Sequence, residues 1–175
     1  EDARHVSGLL SEGIGVHNLY IPSGGDVPDP EQNDKFKYKL DFLAEATAWF
    51  GASIGPQILV GDFNVAPLEN DVWSHRQLLD VVSHTPVEVD ALERFRRTRD
   101  YVDTARLFVP PEEKLYTWWS YRARDWRASN RGRRLDHIWV TPDLRERVDH
   151  VETLTHVRDW QKTSDHAPVL IRFKQ

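Results

Sequence analysis

The stretch ILVGDFNVAP, residues 58–67, puts a carboxylate and an amide, Asp62 and Asn64, two positions apart at the exit of an apolar run. Side chains at i and i+2 of a strand share a face, so this pair can aim at one point beyond the strand end. For a lone acid and amide so spaced, a strand running into an Asx-type turn is the plainer reading. Three other places repeat the pattern. Asp136 interrupts the apolar strand LDHIWV, Asp165 and His166 stand together in TSDHAPVLIRF, and Tyr20 lies near the end of NLYIP. A carboxylate in an apolar strand is costly unless paired. His166 is the candidate partner of Asp136, because an Asp that fixes a histidine's tautomer and raises its basicity recurs in phosphoryl and acyl chemistry. Taken singly, each residue reads as a capped turn or a satisfied core histidine; four such clusters at strand ends point to a reactive site.

The elements that must hold these groups follow from periodicity. Ile58, Leu59 and Val60 ahead of Gly61 read as a central strand covered on both faces. Residues 13–22 read as a strand ended by Pro22, and residues 23–34 as a loop rich in Gly, Pro and Asp. In KFKYKLDFLAEATAWF, Phe36, Leu40, Leu43, Thr47 and Phe50 recur at helical spacing, which predicts an amphipathic helix stopped by Gly51 and Gly55-Pro56. Residues 73–82 and 88–98 suggest two short helices, the second carrying Arg94, Arg96, Arg97 and Arg99 as a solvated face near its C-terminus. YTWWSYR, LDHIWVT, HVETLTH and PVLIRF read as four more strands. The result is an α/β protein with helices packed over sheets, one domain across residues 1–175 with no interdomain linker.

Composition narrows the chemistry. With 39% hydrophobic and 11% aromatic residues in 175, one domain with a bulky core is expected. The absence of cysteine excludes disulfides, thiolate metal sites and a cysteine nucleophile, and is compatible with a reducing interior. No apolar run approaches membrane-spanning length. The absence of methionine leads us to read the chain as part of something longer. A net charge of -5 argues against a generally basic protein, yet RARDWRASNRGRR, residues 122–134, carries six arginines and one acid. Guanidinium forks suit phosphate oxygens and an interleaved Trp can stack on a base; a solvated loop with structural arginines is the alternative.

GDFN, RRLDHIWV and SDHAPV, in this order and with NLYIP upstream, resemble the exonuclease III and apurinic/apyrimidinic endonuclease family, within the endonuclease/exonuclease/phosphatase superfamily. GDFN or SDHAPV alone is shared across the superfamily, whereas the combination with NLYIPSGG, KYKLDFL, YTWWSYR and NRGRRLDHI points to the exonuclease III branch. The resemblance implies a four-layered sandwich of two packed, mainly antiparallel sheets flanked by helices, with the N-terminal strands absent from this chain. It implies a metal-dependent phosphodiesterase site in which Asp62 activates or orients the attacking water, Asn64 holds the water or the phosphate, and Tyr20 donates to the phosphate. His166, held by Asp136, would stabilise the pentavalent charge. Asp165 would belong to the metal site, with Asp62 and Asn64 as further candidate ligands. Hard oxygen donors favour Mg²⁺ or Mn²⁺ over zinc.

By the same resemblance Ser23, Trp118, Asn130, Arg131 and Arg133 are implied to bind substrate. Trp118 would wall the pocket for an extrahelical abasic sugar, and Trp119, its neighbour along a strand, would turn to the core. The implied partners are double-stranded DNA, abasic sites and 3′ ends, with no membrane, for a monomeric protein of the bacterial-type cytoplasm associated with the nucleoid through its substrate. The implied activity is incision 5′ to abasic sites together with 3′–5′ exonuclease and 3′-phosphatase action. A phosphatase or phospholipase of the same superfamily and a non-catalytic DNA-binding fragment are the alternatives. Two departures stand out. The family's metal-binding Glu and first strands would lie before Glu1, so impaired activity and exposed sheet edges are expected of the chain as it stands. Ser23 stands where relatives often carry an amide.

Overall fold

Ile58 and Leu59 point to opposite faces of one strand and both are buried, 7% and 0% exposed, which requires cover on each side. The computed structural model describes residues 3–123 and 125–174 and supplies that cover. Arg124 of the arginine-rich connection lies outside the described residues.

In chain order the elements are β1 (His5–Leu9), β2 (Gly15–Leu19), α1 (Asp34–Gly51), β3 (Gln57–Asp62), α2 (His75–Leu78), α3 (Pro86–Arg97) and β4 (Val102–Asp103). There follow β5 (Trp118–Trp119), α4 (Trp126–Ser129), β6 (Gly132–Arg133), β7 (Asp136–Val140), β8 (Val148–Thr153) and β9 (Val169–Phe173), with short 3-10 turns between. The main sheet has the order β1-β2-β3-β7-β4, in which β2 and β3 run parallel and the other neighbours antiparallel. The β8–β9 and β5–β6 pairs are separate antiparallel ribbons.

One face of the main sheet carries α1 and α3, which close a core of Leu19, Leu43, Phe50, Leu59, Phe63, Phe95, Tyr101 and Trp139. The other face packs on the β8–β9 ribbon through Ile58, Ile138, Val140, Val148 and Val151. The α/β sandwich of packed sheets is as expected, but among the described residues three of the expected four layers are seen, in the order helices, sheet, sheet. β1 forms its exposed edge, with Val6 65% and Leu9 76% accessible.

Helix α1 begins where Asn33 caps it by accepting from the Lys35 amide at 3.1 Å. Its buried stripe runs through Phe36, Lys39, Leu43, Ala46 and Phe50, adding Lys39 and Ala46 to the expected face, while Leu40 packs partly buried against the same core and Thr47 is half-buried. Helix α3 starts at Pro86, two residues before the expected 88, because Glu88 reaches back to accept from the Thr85 amide and hydroxyl, at 3.2 and 2.6 Å. Its arginine run is a structural face: Arg96 and Arg97 pair with Glu93, and Arg99 donates to Ser53 Oγ and Gly55 O. The expected helix at 73–82 is regular only over α2, and the short pairings β1, β4 and β6 have no sequence signal beyond one or two residues.

Candidate active site

Period two along the central strands builds the site. Ile58 and Val60 of β3, like Ile138 and Val140 of β7, face the β8–β9 ribbon, and the next residues on the same faces are Asp62 and Asp136. These two are directly opposite one another in the antiparallel register. His166 stands just before β9, the strand packed against that face, and its Nδ1–H donates to Asp136 Oδ2 at 2.8 Å. Its Nε2 then lies 3.9 Å from Asp62 Oδ2. The pairing inferred for Asp136 from its costly placement is therefore present.

Beyond Asp62 the chain turns sharply. Asp62 Oδ1 accepts from the Asn64 amide at 2.9 Å, so the Asx-type turn is realised too, and Asn64 takes the left-handed conformation at φ 52°. Asn64 Nδ2 donates to Asp62 Oδ2 at 3.0 Å and to Ile21 O at 2.8 Å. Both amide protons are thereby used, leaving Oδ1 to accept from a water. Gly61, at φ 133°, is required by a close approach: a Cβ there would lie 2.0 Å from Leu19 O. The same contact between β2 and β3 continues as Ile21 N–H donating to Asp62 O at 3.0 Å, which holds Tyr20 beside the turn, half-exposed with the Arg4 guanidinium 5.2 Å above its ring.

The electrostatics follow from this crowding. Burial, joined by the facing Asp136 charge, pushes the Asp62 carboxyl up to about 6, against the pull of His166 and Lys39. Burial opposes charging of His166, but its hydrogen bond to Asp136 and the charges of Asp136, Asp62 and Asp165 outweigh that and raise it above its ordinary value. The site thus holds a carboxylate more basic than a surface one beside an imidazole that holds its proton more tightly than a free one.

Asp165 Oδ2 accepts from Trp118 Nε1 at 2.9 Å, and Trp118 and His166 bridge their backbones. Trp118 is half-buried and Trp119 buried, as alternation along a strand requires. Arg133 lies over the Trp118 ring at 5.6 Å and donates to Ser83 Oγ and Val82 O. Arg131 is exposed over Trp73, and Ser23 is exposed in the loop after β2. Asn130 is not gathered with them: it caps α4 and its Oδ1 accepts from Trp119, on the side of β5 opposite Trp118.

The arginine patch is thinner than its sequence suggests. Arg134 is buried in ion pairs with Asp71 and Asp103, Arg127 is paired with Asp159, and Arg133 is tied to backbone. Arg122 and Arg131 remain exposed. Among the described residues no group of three or more His, Cys, Asp or Glu side chains is arranged to hold a metal ion. The candidate ligands Asp165, Asp62 and Asn64 offer oxygen donors only, the type a hard cation takes.

Sequence reasoning passed over two residues that shape the site. Thr117 Oγ accepts from the Leu135 and Asp136 amides, both at 3.0 Å, fixing the start of β7. Lys39 donates to Asn64 O from the buried side of α1. Its signal was available: a lysine three residues after Phe36 and four before Leu43, on the buried stripe of the helix.

The fold is thus a helix-backed two-sheet sandwich that gathers two carboxylates and an imidazole at its strand ends. The chain belongs to the Endonuclease/Exonuclease/phosphatase family, whose model matches residues 4–166. It is 29% identical to the exodeoxyribonuclease III of Haemophilus influenzae, an alignment covering 95% of this chain and 62% of that protein. Among solved structures it resembles an AP endonuclease from Archaeoglobus fulgidus, with TM-score 0.90 and 28% identity over 98% of this chain and 65% of that one. A 3′ phosphatase from Neisseria bound to a product DNA hairpin gives TM-score 0.87 and 29% identity, again over 98% and 65%. The chain therefore spans less than two thirds of the length of each of these relatives.

Proposed function

We propose that the protein to which this chain belongs hydrolyses the DNA backbone 5′ to abasic sites, and acts as a 3′–5′ exonuclease and 3′-phosphatase. The observation that carries this reading is the meeting of Asp62, Asp136 and His166, from three distant strand ends, around one point. The names of its relatives, an exodeoxyribonuclease III, an AP endonuclease and a 3′ phosphatase, support it.

The chemistry assigns each group a task. Asp62 takes the proton of a water whose position Asn64 Oδ1 helps fix, and the water oxygen bonds to phosphorus as the bond to the departing 3′-oxygen breaks. His166, kept charged by Asp136, offers Nε2–H to a non-bridging oxygen as negative charge builds there, and the Tyr20 hydroxyl reaches the same phosphate. Mg²⁺ or Mn²⁺ at Asp165 would supply positive charge for the phosphate and the leaving oxygen. Trp118, braced by Asp165 and Arg133, forms an aromatic wall beside the relay. It suits an extruded sugar without a base, which costs less to unstack than an intact nucleotide. Arg122 and Arg131 contact phosphates along the strand, and Ser23 lies near the attacked one.

The full-length protein, offered an abasic duplex, a 3′-phosphorylated duplex, an inositol phosphate and sphingomyelin with Mg²⁺, turns over the first two. Turnover confined to the last two would replace this reading with the phosphatase or phospholipase one.

A further inference from the structure

Lys39 and Glu88 are both 0% exposed and form an ion pair between α1 and α3. As an adhesive between two helices the pair is a poor choice, since a well-packed apolar pair of similar volume holds helices together at least as well. A lysine here brings three donors, and all three are committed. One goes to Glu88, one to Asn64 O at 2.8 Å and one to Ser23 O at 3.3 Å. Glu88 in turn accepts from the Ser83 amide, at 3.0 Å to each oxygen, and from the Thr85 amide and hydroxyl. Ser83 is held in the left-handed region at φ 86°, accepts from Ala66 N at 2.7 Å, and receives Arg133 at Oγ.

One buried ion pair thus gathers the exit of β2 with Tyr20 and Ser23, the turn of Asp62 and Asn64, and the arm of Arg133 that braces Trp118. The loop after β2 is shaped for this contact. Gly24, at φ 87°, packs where a Cβ would sit 3.0 Å from Lys39 Cδ and 3.1 Å from Val82 Cγ1.

We propose that Lys39 is a positioning residue of the hydrolytic site: with Glu88 it sets the height of the Asp62–Asn64 turn against the Tyr20–Ser23 strand exit, so that water holder and phosphate donor face the same phosphorus. The inference rests on the reading of Asp62, Asn64 and Tyr20 as hydrolytic groups. Misplacing such groups by about 1 Å costs on the order of 10²-fold in rate.

The test is the double variant Lys39→Met/Glu88→Gln in the full-length protein. Methionine keeps the stem and loses the donors, while glutamine keeps the acceptor that Ser83 and Thr85 need. Three readouts are taken: the melting temperature, kcat and KM on an abasic duplex, and the NMR resonances of the Asn64 side-chain amide. The expected result is at least a ~10-fold loss of kcat with KM within about 2-fold, a melting temperature within about 4 °C of the parent, and displaced Asn64 resonances. Unchanged kcat with unmoved Asn64 resonances would overturn the proposal and leave the pair a purely structural one. If the parent protein does not cleave DNA at all, the hydrolytic reading fails, and the Asn64 resonances alone decide whether Lys39 positions the turn. If the methionine variant does not fold, Lys39→Gln/Glu88→Gln carries the same test: it retains a shortened donor and is expected to fall between parent and methionine variant in kcat, and parent-like kcat with unmoved resonances overturns the proposal.

Discussion

At the scale of single residues, the relay depends on which proton sits where. Asp136 holds His166 through Nδ1, which leaves Nε2 facing Asp62 and, on the proposed function, the phosphate. Asp136→Asn removes the charge that keeps the imidazole protonated, so kcat on an abasic duplex is expected to drop by roughly 10²–10⁴-fold, with KM little changed in steady-state kinetics. A second histidine shows the opposite electrostatics. His137, fully inside, donates from Nε2 to Val65 O at 2.9 Å, stacks on Phe63, and has no partner for Nδ1. Burial, with Arg134 adding to it, lowers its pKa from 6.5 to about 4. The folded state therefore holds the ring neutral where the unfolded chain would protonate it. The associated stability is complete above pH 6.5 and is lost as pH falls through 4. It is worth on the order of 3 kcal/mol. Unfolding free energies measured across that window should fall less steeply for His137→Phe than for the parent. The pairing of Asp136 with His166 was legible in the sequence because a carboxylate in an apolar strand demands a partner. The state of His137 was not, because LDHIWV places it one residue along without saying what lies across the sheet.

At the scale of elements, the site sits where it does because β2 and β3 touch at Gly61. Gly61→Ala drives a methyl into Leu19 O, 2.0 Å away in the present backbone. It is expected to destabilise the domain by roughly 2–4 kcal/mol in a denaturant titration, through strain and loss of the β2–β3 contact. Retention of parent stability would show that the two strands separate easily. Elements with long periodic runs were readable: α1 was bounded to within a residue, and β3, β7 and β9 were each placed. Those set by tertiary pairing were not. β5 keeps two residues of the seven in YTWWSYR, because only Trp118 and Trp119 meet β6 before the chain turns away. On α1 the expected stripe missed Lys39, since nothing in the sequence turns a lysine inward until its partner, Glu88 on α3, is known. Glu88 itself was announced by Thr85-Pro86 three residues ahead, a start signal passed over in favour of the apolar period.

At the scale of the whole molecule, a chain of net charge -5 would, on the proposed function, meet a polyanion through a narrow basic face. Three of the five described arginines between 122 and 134 are engaged by the fold, which composition cannot reveal: Arg134 looks like its neighbours in sequence, yet is 1% exposed between Asp71 and Asp103. Arg122 and Arg131 are exposed, so Arg122→Ala/Arg131→Ala in the full-length protein should weaken duplex binding evenly across sequences. The slope of log K against log salt should become shallower by about 2. An unaltered slope in a salt titration would move the DNA face elsewhere. On the proposed function the chemistry sits at the two-sheet mouth, and Asp62, whose carboxyl burial pushes up to about 6, is the group that takes a proton from water. The most direct measurement is single-turnover incision of an abasic duplex with Mg²⁺ by the full-length protein and its Asp62→Asn variant, with duplex binding measured alongside. Incision lost with binding retained is the predicted result; incision at the parent rate would contradict the account at its centre.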